Sequence, residues 1–269
     1  IITFPLPDFE VEGTPYFCAG SSTVLQASDP FTAYEWDGSA GDSTLTVSNA
    51  GLYVLEVVDT NGCQNQASLQ VEAIPLPVAD PGMPDTLTCT VESVAIGGNG
   101  TSTGPAFVYE WTGPGINAQT EVVPSPTVST AGTYELVVTD TIHGCVSEPA
   151  LTEVPLSNDV PVVSLAVNDT LDCATTSLII DGSASSAWPE LTYQWEDLSG
   201  TVLATNTDQL PTEDPGFYIL LLENMETGCA ERDTVQVIQD IETPNAEAGP
   251  TQRLDCAITS VSLSANGST

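Results

Sequence analysis

The sequence predicts an all-β protein: a tandem array of small β-sandwiches, extended and stapled by disulfide bonds. Three observations lead to this fold class. One strand pattern occurs three times, two cysteine series and a Tyr-x-Trp motif share a common spacing, and no stretch shows sustained helical periodicity. Short strands separated by turn residues at regular spacing are typical of sandwiches rather than of α/β folds.

The repeated strand pattern is a glycine, an alternating run of apolar and aromatic residues, and a second glycine followed by cysteine. In the second copy, Tyr134, Leu136 and Val138 share one face, and Gly144-Cys145 closes the turn. Period-two alternation bounded by glycines predicts a β-strand that ends in a tight turn. The same face is formed in the other copies by Tyr53, Leu55 and Val57 and by Tyr218, Leu220 and Leu222.

Three markers recur with nearly the same period. One cysteine series has steps of 71, 84 and 83 residues, a second has steps of 82 and 84, and the Tyr-x-Trp motif has steps of 75 and 84. We call the first series the link cysteines, because each follows a link rich in proline, and the second the turn cysteines. The link cysteines are Cys18, Cys89, Cys173 and Cys256, the turn cysteines are Cys63, Cys145 and Cys229, and the motif tryptophans are Trp36, Trp111 and Trp195.

The common period predicts three repeats, at residues 8–75, 76–157 and 158–243. Proline-containing links between them form short, semi-rigid, extended connections. Residues 1–7 match the last strand of a repeat, and residues 244–269 match the opening of one. We therefore expect the chain to begin on the last strand of a preceding repeat and to stop inside a truncated fourth repeat.

The charge balance restricts the function classes. The chain carries 37 acidic residues and only two basic ones, Arg232 and Arg253, for a formal charge of −35. Binding to nucleic acid depends on Lys and Arg that neutralise phosphates, and anionic membrane surfaces attract the same residues. The sequence predicts neither partner, and no apolar run reaches the roughly 20 residues that a membrane helix needs.

Seven cysteines in a chain without lysine indicate a disulfide framework, which in turn indicates an extracellular setting. Zinc sites need paired Cys or Cys and His at short spacing. The chain has no Cys-x-x-Cys, and its one histidine, His143, occupies the turn position that Asn61 and Thr227 hold in the other copies. We therefore expect His143 to be a turn residue, with no metal site at the cysteines.

The motifs resemble PKD-like and immunoglobulin-like tandem repeats of large secreted Bacteroidota surface proteins, including adhesins of the gliding-motility type. The resemblance covers nearly the whole chain. It implies a long modular protein that is exported to the cell surface and used in adhesion, motility or fibre formation. The residues that carry it are Tyr-x-Trp at 34–36, 109–111 and 193–195, Gly-x-Tyr at 51–53, 132–134 and 216–218, and Gly-Cys at 62–63, 144–145 and 228–229.

An early Trp, a late Tyr and a disulfide are hallmarks of immunoglobulin-type sandwiches. Here the turn cysteine follows the repeated strand instead of lying within it, so we expect a disulfide bond at one end of each sandwich. The predicted bonds are Cys18–Cys63, Cys89–Cys145 and Cys173–Cys229, and the partner of Cys256 is expected beyond Thr269. The predicted core residues are Trp36, Trp111 and Trp195, each packed near Tyr53, Tyr134 or Tyr218 of its own repeat.

Nothing in the sequence nominates a catalytic pair, so we expect no enzyme activity and no cofactor. Acidic residues gather near the links at Asp80, Asp85, Asp159 and Asp169. Calcium takes six to eight oxygen ligands and rigidifies some extracellular arrays between modules. The acids lack a fixed pattern, so solvated side chains are the first interpretation and interdomain calcium the second.

Asp-Ser/Thr-apolar or similar triplets resemble the O-glycosylation sequon of exported Bacteroidota proteins. The alternative is that threonine and valine are simply common around strands and turns. The candidate acceptors are Ser43, Thr86, Thr141, Thr170 and Thr234.

The leading functional hypothesis is a stalk or fibre segment of a large extracellular adhesin or filament. Its expected partners are neighbouring repeats of the same chain, other copies in a fibre, and glycans. The alternative is a module that binds carbohydrate or protein through variable loops, such as residues 113–126 or 198–211, since binding residues often lie on loops of a rigid scaffold. Trp188 occurs in the third repeat alone, either as a loop anchor or as an exposed ring of a glycan site.

Overall fold

The computed structural model describes residues 4–28 and 30–266, and these form twenty β-strands and no helix. The prediction of an all-β fold of sandwiches is confirmed. The chain divides into two compact units, Ile1–Ser157 and Asn158–Thr269. Within the described ranges, no helix is long and apolar enough to cross a membrane. The predicted strand at residues 1–7 lies partly outside the described residues, and residues 4–7 of it are not in a strand.

The first repeat packs a three-stranded sheet against a five-stranded one. The sheets have the orders β1-β3-β6 and β2-β8-β7-β4-β5. The alternation of apolar and polar residues along these strands turns one face of each sheet toward a common core. The strands are β1 (Val11–Gly13), β2 (Tyr16–Cys18), β3 (Thr23–Ala27), β4 (Ala33–Trp36), β5 (Ser39–Gly41), β6 (Thr44–Val47), β7 (Gly51–Val58) and β8 (Gln64–Ile74).

The second repeat, in the same unit, has a three-stranded sheet of order β10-β12-β13 and a two-stranded sheet that pairs β9 with β11. Its central strand pairs with the Tyr-x-Trp strand so that Trp111 lies opposite Leu136. The strands are β9 (Val94–Ala95), β10 (Phe107–Thr112), β11 (Thr127–Val128), β12 (Gly132–Asp140) and β13 (Ala150–Val154).

The second unit contains the third repeat, with a three-stranded sheet β14-β15-β18 and a four-stranded sheet β17-β16-β19-β20. Residues 244–266 form no strand and are exposed at almost every position. The strands are β14 (Ala166–Val167), β15 (Leu178–Asp181), β16 (Leu191–Asp197), β17 (Val202–Thr205), β18 (Gln209–Thr212), β19 (Gly216–Asn224) and β20 (Ala230–Val237).

Each repeat has its own hydrophobic cluster, centred on the tryptophan of its Tyr-x-Trp motif. Trp36, Trp111 and Trp195 are all buried, and each belongs to the same cluster as the Gly-x-Tyr tyrosine of its repeat. Tyr134 and Tyr218 are buried as well, whereas Tyr53 is half-buried. The division of the chain into two units falls after Ser157. The repeat boundaries stay a prediction.

The polar ends of these core aromatics are satisfied by backbone carbonyls. The three tyrosine hydroxyls each donate to the carbonyl four residues earlier: Tyr53 to Asn49, Tyr134 to Thr130 and Tyr218 to Asp214. The indole nitrogens likewise donate to Asp42, Val123 and Thr207 carbonyls. A tyrosine that bonds back to nearby upstream backbone is a recurrent corner device of immunoglobulin-like sandwiches. Buried polar atoms would otherwise destabilise the core.

A parallel strand contact decides where the cysteines lie. In repeat 1, β2 runs parallel to β8, and Cys18 at the end of β2 lies opposite Ile74 at the end of β8. Repeats 2 and 3 reduce this contact to single parallel bridges, Leu87 with Leu156 and Leu171 with Gln239. The link cysteine therefore lies beside the point where the chain leaves its repeat.

Candidate functional site: the disulfide junction between repeats 1 and 2

The turn cysteines sit in a hairpin that an Asp or Asn organises. In repeat 2, the Asp140 amide donates to the Cys145 carbonyl over 2.8 Å, and the Gly144 amide donates to the Asp140 carbonyl. The Asp140 carboxylate also accepts a hydrogen bond from the Ile142 amide. Gly144 has a φ of 75°, a left-handed conformation that favours glycine. The geometry of this turn therefore accounts for the glycine of the Gly-Cys motif.

The same hairpin recurs in the other repeats with different side chains. Asp59 accepts the amides of Asn61 and Cys63 in repeat 1, and Asn224 accepts those of Glu226 and Thr227 in repeat 3. These hydrogen bonds lower the pKa of Asp59, with the Cys63 amide as the largest cause. In each repeat, the turn cysteine lies at the end of this hairpin turn, before the last strand of the repeat.

Cys18 of repeat 1 is bonded to Cys145 of repeat 2, across a sequence separation of 127 residues. The two Cα atoms are 5.5 Å apart, within the usual range for a disulfide. Cys145 is buried, whereas Cys18 is half-buried. The bond joins the exit end of one sandwich to the entry end of the next, in parallel with the backbone link between them.

Aromatic and ionic contacts surround this bond. Tyr16, two residues before Cys18, meets the His143 ring edge-on, with ring centroids 4.9 Å apart and planes at 87°. His143 Nδ1 lies 2.6 Å from Asp140 Oδ2, and this hydrogen bond is the main cause that lowers the pKa of Asp140. Since Tyr16 belongs to repeat 1 and His143 to repeat 2, the histidine is more than a turn residue: it packs at the junction.

The predicted pairing within each repeat is wrong. Cys18 does not bond to Cys63 and Cys89 does not bond to Cys145, because Cys18 and Cys145 are joined and Cys63 is a free thiol. The bond Cys173–Cys229 is also absent, because Cys173 is free whereas Cys229 is disulfide-bonded.

Strand length explains the error. Cys63 immediately precedes β8 and Cys18 lies beside its far end, ten residues later, which is about 33 Å at the usual rise per residue. In repeat 3, Cys229 precedes β20, and the Leu171–Gln239 bridge lies nine residues beyond Ala230, roughly 30 Å away. A disulfide needs Cα atoms within about 7 Å. The link and turn cysteines of one repeat lie at opposite ends of the sandwich.

The remaining cysteines differ in state. Among the described residues, the free thiols are Cys63, which is half-buried, and Cys173 and Cys256, which are exposed. Cys89 and Cys229 are both disulfide-bonded. Each type of position, link and turn, therefore occurs both bonded and free.

The acids considered for calcium are not gathered into one site. Asp80 binds backbone instead: its carboxylate accepts the Gly82 amide at 3.0 Å and the Gly100 amide at 2.9 Å. Asp85, Asp159 and Asp169 are exposed. No group of three or more metal-ligating side chains that could hold an ion occurs in the part of the chain that the structure describes.

The candidate glycan acceptors differ in accessibility. Ser43, Thr141 and Thr234 are exposed, whereas Thr86 and Thr170 are half-buried. The Thr141 hydroxyl also donates to the Ala106 carbonyl over 2.9 Å. Ser43 and Thr234 are therefore the acceptors with the freest approach.

The candidate binding loops form shallow surfaces. Residues of 198–211 and the start of β19 line an open depression that includes Leu203 and Phe217. Residues 113–126 fold back on the core instead, because Pro114 and Val123 supply carbonyls to Tyr134 and Trp111. The Trp188 ring is 39% exposed, so the third repeat does present one aromatic side chain to solvent.

No protein-family profile and no curated protein matches this chain. Solved structures with similar arrangements include three N-terminal domains of the bacteriophage RB49 outer capsid protein Hoc, at 16% identity and a TM-score of 0.35, covering 86% of this chain and 96% of that one. A Ca2+-stabilized adhesin that helps an Antarctic bacterium bind ice is 12% identical, with a TM-score of 0.45, and the match covers 91% of this chain and 76% of that one. The insect immune protein hemolin is 14% identical, with a TM-score of 0.32, and the match covers 90% of this chain and 79% of that one. At these values, the sandwich fold rests on the sheets of this chain itself.

Proposed function

We propose that this chain is a stalk or fibre segment that carries mechanical tension in an extracellular adhesin or filament. The observation that carries the proposal is the Cys18–Cys145 bond between consecutive repeats. A disulfide inside one sandwich would stabilise only that sandwich. A disulfide from the exit of one repeat to the entry of the next gives the connection a second covalent path.

Mechanical load follows that second path. The bond joins residues 127 positions apart, so tension applied at the two termini bypasses most of repeats 1 and 2. Unfolding of the bypassed residues cannot lengthen the oxidised chain. A stalk that holds an adhesive group away from a cell needs this resistance to extension, and an enzyme or a soluble binding module does not.

The acidic surface and the disulfides fit the same role. Cysteine pairs form disulfides that persist in oxidising, extracellular environments. A formal charge of −35 makes neighbouring segments repel one another at low salt, which keeps a stalk from collapsing on its neighbours. The resemblance of the motifs to secreted surface adhesins supports this setting.

Single-molecule force spectroscopy tests the proposal. When the two ends are pulled, the reduced chain should release at least about 440 Å more contour length than the oxidised chain, since the 127 residues closed by Cys18–Cys145 span up to ~3.5 Å each and reduction also frees Cys89 and Cys229. The Cys63→Ser variant, which keeps the bond, is the matched control and should behave as the unaltered chain. Equal extension of the oxidised and reduced chains would contradict a role in carrying tension.

The alternative, a carbohydrate- or protein-binding module, rests on the exposed Trp188 ring. Titration of candidate oligosaccharides with Trp188→Phe as control would show a change of fluorescence that the variant lacks. Without such a change, Trp188 is a loop anchor of the third sandwich.

A further inference from the structure

We infer that Cys63 and Cys173 are complementary connector thiols, each of which forms a disulfide with a further module of this same repeat class. Cys63 would take a link cysteine, and Cys173 would take a turn cysteine. The inference deepens the proposed stalk function, because it extends the observed junction to both ends of the three-repeat array.

The Cys18–Cys145 junction shows how one repeat is joined to the next. There, a link cysteine at the exit of a sandwich bonds to a turn cysteine at the entry of the following sandwich. Neither cysteine can reach the opposite cysteine of its own repeat, because the last strand separates them by about 30 Å. A link or turn cysteine therefore stays a free thiol wherever it has no disulfide to an adjoining repeat.

Cys63 and Cys173 are the leftover thiols that this geometry predicts. Cys63 is equivalent to Cys145 in its hairpin: its amide and that of Asn61 bond to Asp59, and the Asp59 amide donates to the Cys63 carbonyl over 3.0 Å. Both positions are free, and Cys173 is exposed. The turn cysteine Cys145 and the link cysteine Cys18, which hold the equivalent positions, are disulfide-bonded. This is the independent observation from which we infer a partner for Cys63 and for Cys173.

The turn at Cys173 is already organised for a connection. Asp172 Oδ1 accepts the amides of Ala174 and Thr175, and the Asp172 amide donates to the Thr175 carbonyl over 3.0 Å. These hydrogen bonds hold the backbone on both sides of the thiol, so the side chain projects from a fixed turn. Cys256 follows Asp255 in the same kind of turn, where the amides of Ala257 and Ile258 bond to the carboxylate.

The bond-forming step is thiol–disulfide exchange with a low-molecular-weight disulfide as oxidant. The Cys63 thiolate attacks glutathione disulfide, forms a mixed disulfide and releases one glutathione thiolate. The partner thiolate then attacks the Cys63 sulfur, forms the protein disulfide and releases the second glutathione. Two protein thiols thus lose two electrons and two protons in total, and one glutathione disulfide becomes two glutathiones.

The test uses two variants of the full chain. In C173S/C256S, Cys63 is the available connector, and in C63S/C256S it is Cys173. The two are mixed in equal amounts in a glutathione redox buffer, and dimers are separated without reductant and mapped by peptide mass spectrometry. The Cys63–Cys173 heterodimer should exceed each homodimer by at least about tenfold. Heterodimer and homodimer yields near the random 2:1:1 ratio, or no dimer with Cys18–Cys145 intact, would overturn the inference.

Peptide mapping of material from the natural source separates the two possible suppliers. A Cys63 partner within these 269 residues identifies a second copy, and a partner with another sequence identifies a flanking module; either result supports the inference. Unmodified Cys63 and Cys173 in that material would overturn it. The force measurement on Cys18–Cys145 can still succeed in that case, so failure of this inference is distinguishable from failure of the stalk function.

Discussion

The turns that carry Cys63 and Cys145 use one motif for two different situations. In both, an aspartate accepts backbone amides, and a left-handed glycine precedes the cysteine. Cys63 is a half-buried free thiol, whereas Cys145 is buried in a disulfide beside the Tyr16–His143 contact. The same turn is therefore compatible with a free thiol in repeat 1 and with a disulfide to another repeat in repeat 2.

The largest expected difference between the two turns is in stability. Cys145→Ser should lower the free energy of unfolding of the first unit by up to roughly 5 kcal/mol, because a disulfide that closes 127 residues restricts the unfolded chain. Cys63→Ser should change it little. Urea unfolding followed by tryptophan fluorescence measures both variants.

The Cys18→Ser variant provides the control for this pair. It should match Cys145→Ser under the same oxidising conditions, since both lack the Cys18–Cys145 bond and both keep the bonded state of Cys89 and Cys229. Equal destabilisation by Cys63→Ser and Cys145→Ser would show that the two turns are equivalent after all.

The cores should not share this asymmetry. Trp36→Ala and Trp111→Ala should each lower the unfolding free energy by about 3–5 kcal/mol, because both rings are buried. Trp188→Ala is the matched control, and because its ring is 39% exposed it should fall within about 1 kcal/mol of the unaltered chain. A small effect at Trp36 together with a large one at Trp111 would mean that repeat 1 depends on its neighbour for folding.

The junction contact can be transferred between turns. His143→Asn places the repeat 1 residue in the repeat 2 turn and should lower stability by about 0.5–1.5 kcal/mol through loss of the ring contact with Tyr16. The reverse change, Asn61→His, should have no comparable effect. Thermal unfolding of the oxidised chains measures the pair, and a matching loss from Asn61→His would place the effect in the turn rather than in the junction.

The smallest expected effect is a pH dependence at Asp140. The His143 hydrogen bond holds the pKa of Asp140 below its usual 3.8, so the ionised carboxylate stabilises the fold. This contribution is complete above about pH 4 and disappears as the pH falls through the lower folded-state pKa. Asp140→Asn, which copies Asn224 of repeat 3, should reduce the loss of unfolding free energy as the pH falls below about 4, and an unchanged pH dependence would contradict this role of Asp140.

Much of this architecture is legible in the sequence, because local pattern and fold agree. Alternation around Tyr134 predicts β12, the recurring Trp positions predict the three cores, and Gly144-Cys145 predicts the turn. The i to i−4 bond of each tyrosine was missed, although Gly-x-Tyr on a late strand is the signal for it. These features are predictable from the sequence because each depends on residues that are close in sequence.

The disulfide pattern was out of reach for the opposite reason. Spacing alone does not say which cysteines share an end of the sandwich, and that depends on the parallel contact between β2 and β8. The eleven residues of β8 separate two cysteines that the repeat pattern places in one repeat. The role of His143 is hidden in the same way, because its partner Tyr16 belongs to another repeat.

Non-reducing peptide mapping of the oxidised chain tests the central claim most directly. Digestion of the oxidised monomer between the cysteines, followed by mass spectrometry with and without reductant, should recover Cys18 joined to Cys145, and Cys63 joined to no other cysteine of the same chain. Recovery of Cys18 joined to Cys63, or of Cys89 joined to Cys145, would place the bonds inside single repeats and would contradict a covalent connection between sandwiches.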